Sequence, residues 1–340
     1  MKNLHLILAP LGIVLLIGGC GGGGGSSSSG GGGTTPAAPI QITSSNGKTV
    51  ASGANAASQD TTNQGGNSSS QVVGAVTQRS GRLPSVLSIA TTEFNRVLNA
   101  APPAATVVGV TNTIYVSCTT NQQVTASAAN TYTINYSMAG STFAAGDSFT
   151  VSYNACVDST AGTTTNGIIT IAIISLTGTL GSPGASSGFN VTFSGLSVKD
   201  NTTSASYSMN GDMSITASNS STTMTASMSG SSFTMTDSVN GSLQLTNYSE
   251  SYSYDSATTG YTFSANMTLA GSVMGGSVTI ATTTPFSGTG TGNPTAGSMK
   301  VSGSNGSYVI LAANSDGLHA DLTIYDGSTT SNTSVLWTAL

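Results

Sequence analysis

Charge is what this sequence has least of. Asp, Glu, Lys and Arg make up 6% of its 340 residues, against about a quarter in an ordinary soluble domain, so solubility has to come from Ser, Thr and Asn. Seven basic residues stand against twelve acidic ones, for a net charge of −5. After Lys2 the basic residues are Lys48, Arg79, Arg82, Arg96, Lys199 and Lys300, all scattered singly. Binding to nucleic acid needs a basic stripe that neutralises phosphates; without one, that partner class is excluded. Histidine is almost as scarce, with His5 and His319 only, and the two glutamates, Glu93 and Glu250, lie far apart in sequence. Such isolated groups are poor material for paired acid/base work. With no CxxC and little histidine, no metal site and no cofactor are expected.

What is present begins at the N-terminus. Met1-Lys2-Asn3 gives a short positive start, and Leu4 to Ile17 is an apolar run shorter than the roughly 20 residues that span a membrane. It reads as a secretory signal. Ile17-Gly18-Gly19-Cys20 comes next, and this quartet resembles the lipobox of Gram-negative bacterial lipoproteins. The resemblance implies cleavage after residue 19, lipidation of Cys20 and a membrane partner reached through that lipid. Gly21 stands where an Asp would imply inner-membrane retention, so the implied location is the outer membrane.

Of the three cysteines, Cys118 and Cys156 remain once Cys20 is assigned to lipid. In an oxidising envelope compartment they are expected to pair. Residues 20–80 are Gly, Ser, Thr, Asn, Gln and Ala with few large apolar side chains, a composition that predicts a disordered tether. A coil of that length would span roughly 45 Å. Within 81–105, Leu87, Ala90, Phe94, Val97 and Leu98 recur at helical spacing between Pro84 and Pro102, predicting a short amphipathic helix packed on the sheet.

From about residue 106 to 340 the period is two. Tyr132, Ile134, Tyr136 and Met138 share one parity, as do Phe149, Val151 and Tyr153, and Tyr261 through Leu269. Ser, Thr or Asn mostly lie between them. The expectation is an all-β domain: a large antiparallel meander of about a dozen strands, as a curved sheet, open barrel or sandwich. Ile168 to Leu176 is apolar on both parities and reads as a strand covered on both faces. Asn166-Gly167, Asn210-Gly211, Asn240-Gly241, Asn305-Gly306, Asp316-Gly317 and Asp326-Gly327 read as turns; their uneven spacing argues against a propeller or solenoid. Parity sets Tyr308 opposite Tyr325, Val309 opposite Ile324 and Leu311 opposite Leu322. It also sets Met228 opposite Phe233 about a turn at Gly230-Ser231, and allots three residues to the loop at Asn210-Gly211. The stretch from Asn293 to Leu340 is similar to the closing meander of uncharacterised β-rich envelope lipoproteins, a resemblance that implies no activity.

Three groups of residues bear on chemistry. His319 beside Asp316 and Asp321 reads as an exposed hairpin histidine rather than a catalytic base. Asn314, Asp316, Asp321 and Asp326 lack the loop pattern of a Ca²⁺ site and read as turn residues. Met209, Met213, Met224, Met228, Phe233 and Met235 form the one unusual enrichment, a candidate surface for an apolar ligand such as a lipid. The functional expectation is a non-catalytic lipoprotein of the outer membrane, acting by structure or by contact with envelope proteins or lipids. Its alternative is a carrier of an apolar ligand on the Met-rich strands.

Overall fold

The computed structural model of the protein describes residues 37–58, 111–120, 122–125, 127–138, 143–178, 183–238, 241–271 and 274–340. The leader, Cys20 and the helix expected at 84–99 lie outside the described residues.

Alternation of apolar with hydroxyl residues builds strands long enough to form one sheet. One helix, α1 (Gly47–Ser58), precedes β1 (Asn112–Ser117), β2 (Gln123–Val124), β3 (Thr131–Ser137), β4 (Ser148–Asp158), β5 (Thr163–Thr177), β6 (Ala185–Asp200) and β7 (Ser206–Asn219). Then come β8 (Thr223–Asp237), β9 (Gly241–Asp255), β10 (Gly260–Gly271), β11 (Gly276–Thr289), β12 (Ala296–Ser302), β13 (Tyr308–Ala313), β14 (His319–Tyr325) and β15 (Thr330–Leu336), closed by a 3₁₀ turn at Trp337–Ala339. All fifteen strands form a single antiparallel sheet in chain order, except that β1 lies between β2 and β3. It is a meander with two edges, β2 and β15. The expected all-β meander is therefore present, as one sheet and not two.

One face of this sheet is buried as a single apolar cluster running from Ile114 to Ile324. A single layer buries one face of so many strands by curling round it, and β-bulges supply the bends. Two of the six expected turns turn out to be such bulges. Asn210-Gly211 sits inside β7, where the register shifts between Gly211 and Ser214, and Asn166-Gly167 sits inside β5, where it shifts between Asn166 and Ile168. Gly211 has φ +131° and Gly167 φ +105°, and a Cβ at either would strike the backbone of the next strand. These glycines are needed for backbone approach, and the chain does not reverse at them.

The hairpin expected at Gly230-Ser231 is likewise absent. β8 runs straight through it, so Met228 pairs with Ile215 and Glu250, and Phe233 with Gly211 and Leu245. Gly230 is small because the Tyr248 ring and hydroxyl occupy the space above it. The last hairpin keeps its expected register, with Tyr308 opposite Tyr325, Val309 opposite Ile324 and Leu311 opposite Leu322. The double cover expected for β5 is also corrected: Ile169, Ile171 and Ile173 are buried, but Ile168 and Ile174 are 40% and 48% exposed on the outer face.

The largest correction concerns residues 37–58, part of the 20–80 stretch expected as disordered tether; the rest of that stretch lies outside the described residues. Residues 37–42 form a strap across one end of the sheet. Ser277 donates its N–H to the Ala38 carbonyl and its Oγ–H to the Ala37 carbonyl, and Ile40 donates to the Ser277 carbonyl. Ser304 N–H bonds the Ile40 carbonyl, and Ile42 N–H bonds Ser307 Oγ at 2.8 Å. α1 then packs on β10, β12, β13 and β14, burying Val50, Ala51 and Ala54. Small residues hide this helix from a composition count, since the sheet supplies the bulk on the other side of the contact. Ser52, in the middle of α1, donates its hydroxyl to the Leu340 carbonyl.

Candidate functional site

The strands have two ends. At the strap end lie the turns 201–205, 303–307 and 326–329; at the far end lie the turns 220–222, 256–259 and 314–318, together with Trp337–Leu340. Between them the two faces differ in kind.

The inner face carries the methionines. Met209 and Met213 of β7 and Met228 and Phe233 of β8 are buried, while Met224 and Met235 are half-buried against the same cluster. Met209 is the cross-strand partner of Met235, and Phe233 meets Phe193 edge-on with ring centroids 5.9 Å apart. All six residues are thus brought to one inner surface. Beside them is a group the sequence did not single out for this place. Glu250 is 2% exposed on β9, flanked in register by Met228 and Ala265. Tyr248, two residues away, donates its hydroxyl to the Asp212 carbonyl at 2.6 Å. Burial, with Asp212 and Glu250 adding negative charge nearby, pushes that phenol well above its usual range.

The outer face is a hydroxyl surface. Cross-strand pairs bond to one another at Thr150–Thr170, Thr216–Ser227, Ser218–Thr225, Ser251–Ser264 and Thr283–Ser298, at 2.6–3.3 Å. The polarity of the alternation is therefore apolar inside and polar outside. A membrane-spanning barrel needs the reverse, an outward apolar band facing lipid.

The polar corner at the far end is made by Asp316 and His319. Asp316 Oδ1 accepts the N–H groups of Leu318 and His319, and its Oδ2 lies 2.6 Å from His319 Nδ1. The His319 ring and these two N–H groups hold the carboxyl down at about 2. Next to it, Asp321 accepts from Asn314 Nδ2 and Ser334 Oγ. Asp326 lies at the opposite end of β14, its carboxylate filled by Ser328 and Thr329. Asn314, Asp316, Asp321 and Asp326 are thus split between the two ends and bonded close to home, not gathered as oxygen ligands round one ion. Among the described residues no three His, Cys, Asp or Glu side chains gather as a metal-holding group. No hydroxyl is bonded to the His319 ring among the described residues.

Gly184-Ala185-Ser186-Ser187-Gly188 has the GxSxG spacing of a nucleophile elbow, a pattern easily overlooked in so Ser-rich a chain. Its serine does not sit on a strand-to-helix turn as that chemistry requires: Ser186 lies in β6 and shares a 2.6 Å hydrogen bond with Thr177 Oγ1.

Cys118 and Cys156 form a disulfide with Cα atoms 5.5 Å apart. It ties the end of β1 to β4 across β3, at the strap end.

Together these features define a class: an open, one-sheet antiparallel meander with a hydroxyl exterior, a Met- and Tyr-rich interior and an N-terminal strap. No protein-family model matches the chain, and no curated protein or solved structure matches it either.

Proposed function

We propose that the chain is a lipid-anchored lipoprotein of the outer membrane with a non-catalytic role, structural or in protein contact, in the cell envelope. The observation that carries this reading is Ile17-Gly18-Gly19-Cys20 at the end of the apolar leader. Lipid anchoring with several acyl chains is stable, each buried CH₂ adding about 0.8 kcal/mol. Support comes from the disulfide, which suits an oxidising compartment, and from the outer face, whose hydroxyls leave anchoring to the N-terminus. The test is expression of the full chain with Cys20→Ala. Loss of lipid mass and of membrane fractionation is the expected outcome, and a variant that is still processed and still sediments with membranes removes the reading.

A second reading, a carrier of an apolar ligand, is favoured by one observation: Met209, Met213, Met224, Met228, Phe233 and Met235 share one inner surface, and Met224 and Met235 keep partial exposure. Native mass spectrometry after exposure to an envelope lipid extract separates the two. Retained lipid supports the carrier, and an empty domain leaves the structural role.

A further inference from the structure

If Cys20 holds the lipid, the tether is far shorter than the sequence implied. The chain enters the sheet at Ala37, seventeen residues after Cys20, a reach of at most about 58 Å at full stretch. β6, at 16 residues, is itself about 50 Å long. A domain held at its strap end reaches the bilayer with that end while the tether stays slack. It reaches with the other end only when the tether is drawn nearly taut.

Side chains at the two ends differ in the same sense. Eleven tyrosines occur in the sequence, and most face the interior. Those on the outer face of the described strands are Tyr115, Tyr308 and Tyr325, each within three residues of the strap end. Tyr308 and Tyr325 lie side by side with ring centroids 5.2 Å apart, and Lys300 Nζ sits 4.3 Å from the Tyr308 ring centre. The other two described lysines are also at this end, Lys48 in the first turn of α1 and Lys199 one residue before β6 stops. Asp158, Asp200, Asp237 and Asp326 accompany them, so three lysines stand against four aspartates at this end. The far end presents Asp255, Asp316 and Asp321 to solvent and has no described lysine. Amphipathic rings with neighbouring lysines are what settle at a lipid headgroup layer, whereas unbalanced carboxylates are repelled by an anionic surface within a Debye length.

We propose that the strap end, with Tyr308, Tyr325 and Lys300, is the surface this protein rests on an anionic bilayer, and that the turns at 220–222, 256–259 and 314–318 point away from it. The proposal rests on the anchor at Cys20.

Its test uses the full lipidated chain in phosphatidylglycerol-containing vesicles doped with a headgroup-nitroxide lipid. Thr202→Trp and Ser221→Trp place a reporter at the two ends of β7, both at exposed turn positions. Buried Trp337 gives a common background. Quenching of the Thr202→Trp protein is expected to exceed that of the Ser221→Trp protein several-fold, and Tyr308→Ser with Tyr325→Ser is expected to narrow the ratio. Equal or inverted quenching in protein that co-floats with the vesicles overturns the orientation and leaves the anchor intact. Protein that fails to co-float overturns the anchor, and the orientation with it.

Discussion

Gly230 stands in mid-strand on the inner side of β8, where an added methyl would meet the Tyr248 ring and hydroxyl and the Asp212 carbonyl. That crowding gives a residue-scale prediction. Gly230→Ala should lose about 1–3 kcal/mol by forcing Tyr248 off its bond, read as a lower urea midpoint, while Ser229→Ala on the outer face should change stability by less than about 0.5 kcal/mol. Equal midpoints for the two variants would show that the interior gives way at Tyr248. Asp316 supplies the second prediction. Its carboxyl is held at about 2 by the His319 ring and two N–H groups, below the unfolded value of about 3.9, so its contribution is present above that value and fades as pH falls towards 2. Amide exchange in the 314–318 turn should therefore quicken between pH 4 and 2, and Asp316→Asn should exchange fast at every pH. A turn that stays protected at pH 2 would refute this. Residues of this kind are only half legible in sequence. The Asp316-Gly317 signal marked a true turn, but Gly230 looked the same on paper, because whether a glycine reverses the chain or admits a neighbouring ring depends on a partner strand that the local sequence does not contain.

At the scale of elements, strands were legible wherever parity was unbroken. Tyr207, Met209, Met213 and Ile215 all share odd parity, which fits a three-residue loop and an unbroken strand equally well, and β7 is continuous across Asn210-Gly211. Bulges such as the shift between Phe193 and Leu196 break the period within one strand, which is why a single alternating run such as Phe189, Val191 and Phe193 covers only part of a strand of 16 residues. The strap and α1 were illegible for another reason. Their contribution comes from partners more than two hundred residues away, as in the Ser277–Ala37 bond. Ile42 is fully buried, so Ile42→Ala should cost about 2–5 kcal/mol, measured by chemical denaturation of the purified protein. A negligible loss would mean the strap is not part of the cooperative unit. The disulfide closes a separation of 38 residues, and its reduction should lower stability by about 4 kcal/mol on the chain-entropy model. Thiol labelling of both sulfurs in unreduced, denatured protein would cancel that expectation.

For the whole molecule, the outward hydroxyl ladders predict that a chain beginning at residue 37 stays in solution without detergent; an absolute need for detergent would point back to a lipid-facing wall. The candidate methionine surface was legible as a composition, and its place inside came from parity. The two dissimilar ends were not, because outward tyrosines and lysines are distributed along the chain and converge only when strands alternate direction. The meander and the strap also set an order of events. Neighbouring strands are neighbours in sequence, so hairpins can zip up while the rest of the chain is still emerging, with little loop-closure cost. The strap cannot, for Ala37 must wait for Ser277 and Ser52 for Leu340. Its first described residues are therefore the last to find their places, and a chain cut short of Ser277 would carry zipped hairpins beside a strap with nowhere to dock.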